Sequence, residues 1–174
     1  SVIDFLNELT RHTEAILAAI NSKITFGNNE IKIDTAQNIK ALQDVLITSP
    51  MAILSGGAGV GKTALIKDFY DSTKGKAPFY IFKGVEFCIS NINQLFAHYG
   101  SFTLSDFVKE HQDFEEKYII IDSAEKLSDI EYKEVFQEFL STLQINKWKV
   151  IFTTRHSYLD DLRFQFIEVY RVRC

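Results

Sequence analysis

The run Gly56-Gly57-Ala58-Gly59-Val60-Gly61-Lys62-Thr63 constrains this chain more than any other part of it. It has the form GxxxxGK[ST]. Its setting counts for more than its letters, because the apolar run Met51–Ser55 stands directly before it and a helical pattern directly after. Small residues let successive backbone N–H groups curl around an anion without Cβ crowding, and the following helix aims its positive end at that anion. A mobile ammonium at Lys62 then suits the β and γ phosphates of a nucleotide, and the hydroxyl of Thr63 suits Mg2+. The bland alternative is a Gly-rich strand-to-helix turn followed by an ordinary surface lysine and an N-terminal threonine.

From Pro50 onward, short apolar strands alternate with helical stretches, as a largely parallel sheet covered on both faces requires. Strands are expected at Met51–Ser55, Phe79–Lys83, Tyr118–Asp122, 149–153 and 166–169, with the clearest helices at 62–72 and 128–143. Thr103 and Asp106 form a potential capping box, with Phe107, Val108 and Phe114 on the apolar face behind it. Upstream, Val2, Phe5, Leu6, Leu9, Ile16, Leu17 and Ile20 recur at helical spacing, a stripe expected to dock on the core. Residues 23–34 read as a short hairpin, with Ile24 and Phe26 before Gly27-Asn28-Asn29 and alternating Ile31 and Ile33 after it. Asp34 is then placed to cap a second helix, with Gln37 in the reciprocal position and Ile39, Leu42, Val45 and Leu46 on the buried face. The chain thus divides into a helical and hairpin extension, 1–48, that packs on or leads into a core, 49–174.

Composition narrows the function classes. A chain of 174 residues suffices for one ordinary core, and 46% apolar against 24% charged residues excludes an intrinsically disordered chain. The formal charge of -4 mixes both signs and supplies no basic field, so nucleic-acid binding is not indicated. Cys88 and Cys174 stand in no metal-ligand spacing and read as reduced thiols, and His12, His98, His111 and His156 are scattered, without the local pairing of a zinc site. The 15 Phe residues form no repeated motif and read as core filler. No run is apolar enough for its length to cross a bilayer and Ser1 opens no basic-then-apolar leader, so cytoplasmic residence is the expectation.

A second chemical signal is Tyr118-Ile119-Ile120-Ile121-Asp122, an apolar strand that ends in a carboxylate, as support of Mg2+ opposite a phosphate loop requires. Ser123 is small and leaves room beside a nucleotide. Glu125 is placed to orient or deprotonate an attacking water, the alternative being solvated charge beside Lys126.

The phosphate loop, the string YIIIDSAEKL and the later KVIFTTR together resemble the STAND class of P-loop NTPases. The small residue after Asp122 and the acid further on are similar to the NACHT-like Walker B. The resemblance spans 52–169. It implies an α/β P-loop core with a mainly parallel sheet in the order 5-1-4-3-2, preceded by an N-terminal helix and short hairpin. It also implies that residues 56–63 form the Walker A loop, Asp122 the magnesium residue, Glu125 the water-handling acid and Arg155 the sensor 1 arginine. Ile31 and Ile33 lie where the segment leading into such a core often approaches adenine, although core filling is the favoured reading for them.

By the same resemblance the cofactors are ATP or ADP with Mg2+. The function is then Mg-dependent ATP binding and slow hydrolysis, as the switch core of a larger signal-transduction or defence ATPase. Partners would be copies of itself or further domains, and the helical lid and winged-helix region usual in that class are expected to be missing from these residues. A nucleotide-dependent scaffold or oligomerisation module with little hydrolysis is the alternative. A GTPase is weaker, because Asn146-Lys147-Trp148-Lys149 begins like a guanine motif but lacks its final carboxylate. A nucleotide or small-molecule kinase stays open, since a phosphate loop says nothing about the acceptor.

Overall fold

The computed structural model of the protein describes residues 1–24, 35–55 and 60–154. Strands β1 (Met51–Ser55), β2 (Phe79–Lys83), β3 (Tyr118–Asp122) and β4 (Lys149–Thr154) form one sheet in the order β1-β4-β3-β2. Every neighbouring pair is parallel. The expected fifth strand, 166–169, and the hairpin residues 25–34, with Ile31 and Ile33, lie outside the described residues.

Both sheet faces are buried, which is why the strands read as unbroken apolar runs. On one face, Tyr80, Phe82, Ile119, Ile121, Val150 and Phe152 join a core with Phe96, Phe107, Phe136, Phe139 and Trp148. Helices α4 (Leu104–Glu110) and α5 (Lys133–Ile145) and the 3-10 segments Gly84–Phe87, Ile92–Tyr99 and Ala124–Asp129 contribute to that layer. On the other face, Phe79, Ile81, Tyr118, Ile120 and Ile151 meet Leu42, Leu46, Ile66, Phe69 and Tyr70 from helices α2 (Thr35–Thr48) and α3 (Val60–Thr73). Most phenylalanines among the described residues are buried core filler, as their lack of a motif suggests. Each such side chain, once buried, stabilises the fold by about 1.5–3 kcal/mol.

Helix α1 (Val2–Ile24) docks on this core and straddles its open edge. Phe5 and Leu9 enter the first core, whereas Ile16 and Leu17 enter the second. Between them, the fully buried Thr13 accepts a hydrogen bond at 3.1 Å from the backbone N–H of Ile81 on edge strand β2. A single threonine thereby satisfies a strand N–H that has no neighbouring strand to bond among the described residues. Leaving it without a partner would cost about 1–3 kcal/mol and would offer an edge to other chains.

Several expectations need correction. The helix expected over 128–143 begins only at Lys133, because residues 124–129 form a 3-10 segment and Ile130 is extended with ψ 137°. Lys133 spans the break, its Nζ donating to the carbonyls of Leu127 and Ser128 at 2.8 Å each. Lys23 and Ile24, expected in a hairpin strand, continue α1. Val45 is 48% exposed, because α2 turns only Leu42 and Leu46 fully inward with Ile39 at their border. Phe114 is 46% exposed, since α4 ends at Glu110 and the following turn carries it outward. Strand β4 extends one residue past the expected end, to Thr154. The Thr103–Asp106 capping box is present, with Thr103 N donating to Asp106 Oδ2 at 3.0 Å and Asp106 N to Thr103 Oγ1 at 3.2 Å.

Beside Trp148, the buried His111 joins α4 to β2. Its Nδ1 lies 2.7 Å from the carbonyl oxygen of Phe107 and its Nε2 2.8 Å from the Tyr80 hydroxyl. A carbonyl only accepts, so Nδ1 carries a proton; burial favours the neutral ring, in which Nε2 accepts from the Tyr80 hydroxyl. Burial, opposed by the Phe107 hydrogen bond, holds the His111 pKa below its ordinary value, while burial pushes Tyr80 up to about 12. With the folded pKa depressed, the unfolded chain binds the extra proton first. The stabilising contribution is therefore present above the ordinary histidine value near 6.5 and is lost as pH falls through the folded value. Urea denaturation on either side of that window should show wild type losing more stability on acidification than His111→Gln, whose amide does not titrate. Equal losses would mean that the ring is not buried neutral.

Candidate functional site

All four strands point the same way, so their C-terminal ends share one edge of the sheet, where ligands of open α/β sheets bind. Strand β1 ends at Ser55, opposite Thr154 of β4. Strand β3 ends at Asp122, one residue past the pairing of Ile121 with Phe152. Helix α3 follows β1 and carries Lys62 in its first turn.

These placements bring Lys62, Asp122 and Glu125 together around the last two residues of β4. Lys62 Nζ donates to the Thr154 carbonyl oxygen at 2.7 Å. The Thr154 hydroxyl donates to Glu125 Oε2 at 3.3 Å. The Thr153 hydroxyl donates to Asp122 Oδ1 at 2.8 Å and accepts from the backbone N–H of Ser123 at 3.2 Å, while Ser123 Oγ stands 3.4 Å from Asp122 Oδ2. The two threonines are buried at 5% and 1% exposure, whereas the lysine and both carboxylates are only partly covered. The threonines thus form the fixed frame and the charged groups face the open edge.

The chain reaches Glu125 through a left-handed residue. Ser123 has φ 53° and ψ 52°, a conformation that costs a non-glycine residue of order 1 kcal/mol and persists where its surroundings hold it. Thr153 supplies one constraint through the Ser123 N–H. Gly84, at the start of the 3-10 segment Gly84–Phe87, supplies another, because a Cβ there would stand 2.6 Å from the Ser123 carbonyl oxygen. That segment is tied in turn to α1: His12 Nε2 lies 2.7 Å from Glu86 Oε1, and Glu86 Oε2 accepts from Lys83 N at 2.6 Å.

Of the residues singled out from the sequence, Val60, Gly61, Lys62 and Thr63 form the first turn of α3, with the Thr63 side chain outside the described part. Gly56, Gly57, Ala58, Gly59 and Arg155 also lie outside it. Thr153, Thr154 and Gly84 were not singled out. A signal for the threonines existed in two hydroxyls at the end of a buried strand, the place where a parallel sheet meets its ligands. Nothing in the sequence marks Gly84, whose need for a missing side chain arises from a contact distant along the chain.

Among the described residues no group of three or more His, Cys, Asp and Glu is placed to hold a metal ion. Asp122, a hard oxygen donor at the strand end, fits a magnesium site of the kind completed by phosphate and water rather than an all-protein cage. No helix among them is long and apolar enough to cross a membrane. The described residues therefore define an α/β fold with an all-parallel sheet of four strands, compatible with a Rossmann-like core, and a lysine, two carboxylates and two threonines gathered at its C-terminal edge. Comparison with models of known protein families gives no match, and neither does comparison with curated proteins.

Proposed function

We propose that this chain is the nucleotide-binding core of a STAND-like P-loop ATPase that binds Mg-ATP and hydrolyses it slowly, as the switch element of a larger signal-transduction or defence protein. The observation that carries this reading is the convergence on β4: Thr154 holds Lys62 by its carbonyl and Glu125 by its hydroxyl, while its neighbour Thr153 holds Asp122. An ammonium, a metal-supporting carboxylate and a water-handling carboxylate at one sheet edge are the parts that phosphoryl transfer to water needs.

In this reading Lys62 would leave the strand end to meet the β and γ phosphates, and the Walker A run 56–63, part of which lies outside the described residues, would supply the phosphate loop. Thr63 and Asp122 would hold Mg2+, which would supply positive charge to offset that of the phosphates. Arg155, Ile31 and Ile33 lie outside the described residues, and their roles toward the γ phosphate and the adenine are those that the resemblance implies. Glu125 takes a proton from water as the water oxygen bonds to the γ phosphorus. The bond from that phosphorus to the bridging oxygen breaks, its electron pair leaves on ADP, and the proton passes on to the released phosphate.

Calorimetry with Mg-ATP, Mg-GTP and metal-free ATP tests the assignment. Wild type should bind Mg-ATP in preference to Mg-GTP. Asp122→Asn keeps the shape of the side chain but not its charge, so the affinity gained on adding magnesium should fall by about tenfold. No binding of either nucleotide would reject the reading, and an unchanged magnesium response would remove Asp122 from it. Tight binding without any phosphate release would favour a nucleotide-dependent scaffold.

A further inference from the structure

Resting on the hydrolysis reading above, we propose that Thr154 is a positioning residue: its hydroxyl fixes Glu125 in the orientation from which the carboxylate handles the attacking water. Glu125 sits on the segment Ala124–Asp129, whose backbone is anchored by the buried Ala124 and Leu127, but its own side chain has torsions that such anchoring leaves loose. The Thr154 hydroxyl donates to Oε2 of this carboxylate at 3.3 Å. Oε1 accepts no hydrogen bond among the described residues. Among the described residues, one oxygen is therefore held by the strand and the other receives no donor.

The donor itself is fixed. Thr154 is 1% exposed and is the last residue of β4, paired in register with Ser55 of β1. Its carbonyl receives Lys62 Nζ, so a single buried residue sets the distance between the ammonium destined for phosphate and the carboxylate destined for water. Thr153 performs the matching task for Asp122 and for the Ser123 turn. The acid lies three positions past the strand end, and the left-handed Ser123 together with the Thr154 hydroxyl bring it back over β4. A misplacement of about 1 Å in such a group can lower turnover by about a hundredfold.

The test compares Thr154→Val, which removes the hydroxyl at nearly constant volume, with Thr154→Ser, which keeps it. Mg-ATP affinity and single-turnover phosphate release are measured for both, with thermal denaturation confirming folding. Thr154→Val should release phosphate about tenfold or more slowly with affinity within about threefold of wild type, and Thr154→Ser should recover most of the rate. Adding Thr154→Val to Glu125→Gln should lower the rate no further, because the two changes remove one function. Wild-type turnover in Thr154→Val beside a disabled Glu125→Gln would overturn the positioning role and leave the hydrolysis reading intact. Equal loss of affinity and rate in both threonine variants would assign Thr154 a structural role instead and overturn the proposal. Equal phosphate release by wild type and Glu125→Gln would bring down the hydrolysis role of Glu125 and this inference with it.

Discussion

Glu125→Gln should leave Mg-ATP affinity within about threefold of wild type and lower single-turnover phosphate release by about two to four orders of magnitude. The substitution is nearly isosteric, and the amide oxygen can still accept the Thr154 hydroxyl that now reaches Oε2. The geometry of the sheet edge is thus retained while the group loses its ability to take a proton. Lys62 remains on β4 and Asp122 remains held by Thr153, so the contacts proposed for phosphate and metal are untouched. Only a role in the transition state separates rate from affinity in this way. The measurement is phosphate release with protein in excess over ATP, beside calorimetry on the same preparation. Unchanged release would return Glu125 to the status of a solvated charge beside Lys126, and a parallel loss of affinity would show a binding role instead.

The strands were the most legible part of the chain, for a physical reason. A parallel strand covered on both faces needs apolar residues at every position, so runs such as Tyr118–Asp122 stand out without any periodicity. The start of α5 was obscured by the opposite circumstance. Ala124, Leu127 and Ile130 are buried at every third position through the 3-10 segment and beyond it, which mimics the phase of a helix that in fact begins at Lys133. Helix α1 was legible as an amphipathic stripe, yet its polar member Thr13 was not, because the N–H it satisfies belongs to a strand far along the chain.

The candidate site divides along the same line. Lys62, Asp122 and Glu125 could be named from local strings, since each follows a strand whose end is visible in the sequence. The groups that hold them could not. Thr153 and Thr154 looked like ordinary β-branched strand residues, and only the register of β4 between β1 and β3 reveals what their hydroxyls and carbonyls touch. The left-handed Ser123 was equally hidden, because a serine carries no local mark of positive φ.

The constraint on that serine leads to the second large effect: Gly84→Ala should destabilise the fold by about 2–3 kcal/mol, within the range found for overfilled cores, and should slow phosphate release more than it weakens nucleotide binding. The new Cβ would meet the Ser123 carbonyl oxygen at 2.6 Å and Lys126 Cβ at 3.4 Å. The nearer atom is backbone and has no torsion of its own to swing aside. Moving the Gly84 side is resisted by the fully buried Phe87 and by the His12 to Glu86 contact from α1. Moving the Ser123 side pulls against the Thr153 hydroxyl and displaces the turn that carries Glu125. Glu125 stands two residues past Ser123 on the displaced turn, whereas Lys62 stands on α3 and reaches Thr154 through its own side chain, so the strain reaches the acid first. Gly75→Ala is the control: its φ of +79° makes alanine strained there, but nothing lies within 4 Å of the added Cβ, and it stands in the turn before β2, away from the site. That variant should lose about 1 kcal/mol of stability through the backbone alone and keep the wild-type balance of rate and affinity. Urea denaturation and single-turnover phosphate release on both alanine variants decide the matter. A Gly84→Ala protein as stable as wild type would show that the two turns separate freely, and a destabilised one with normal turnover would show that the Glu125 segment does not depend on their contact.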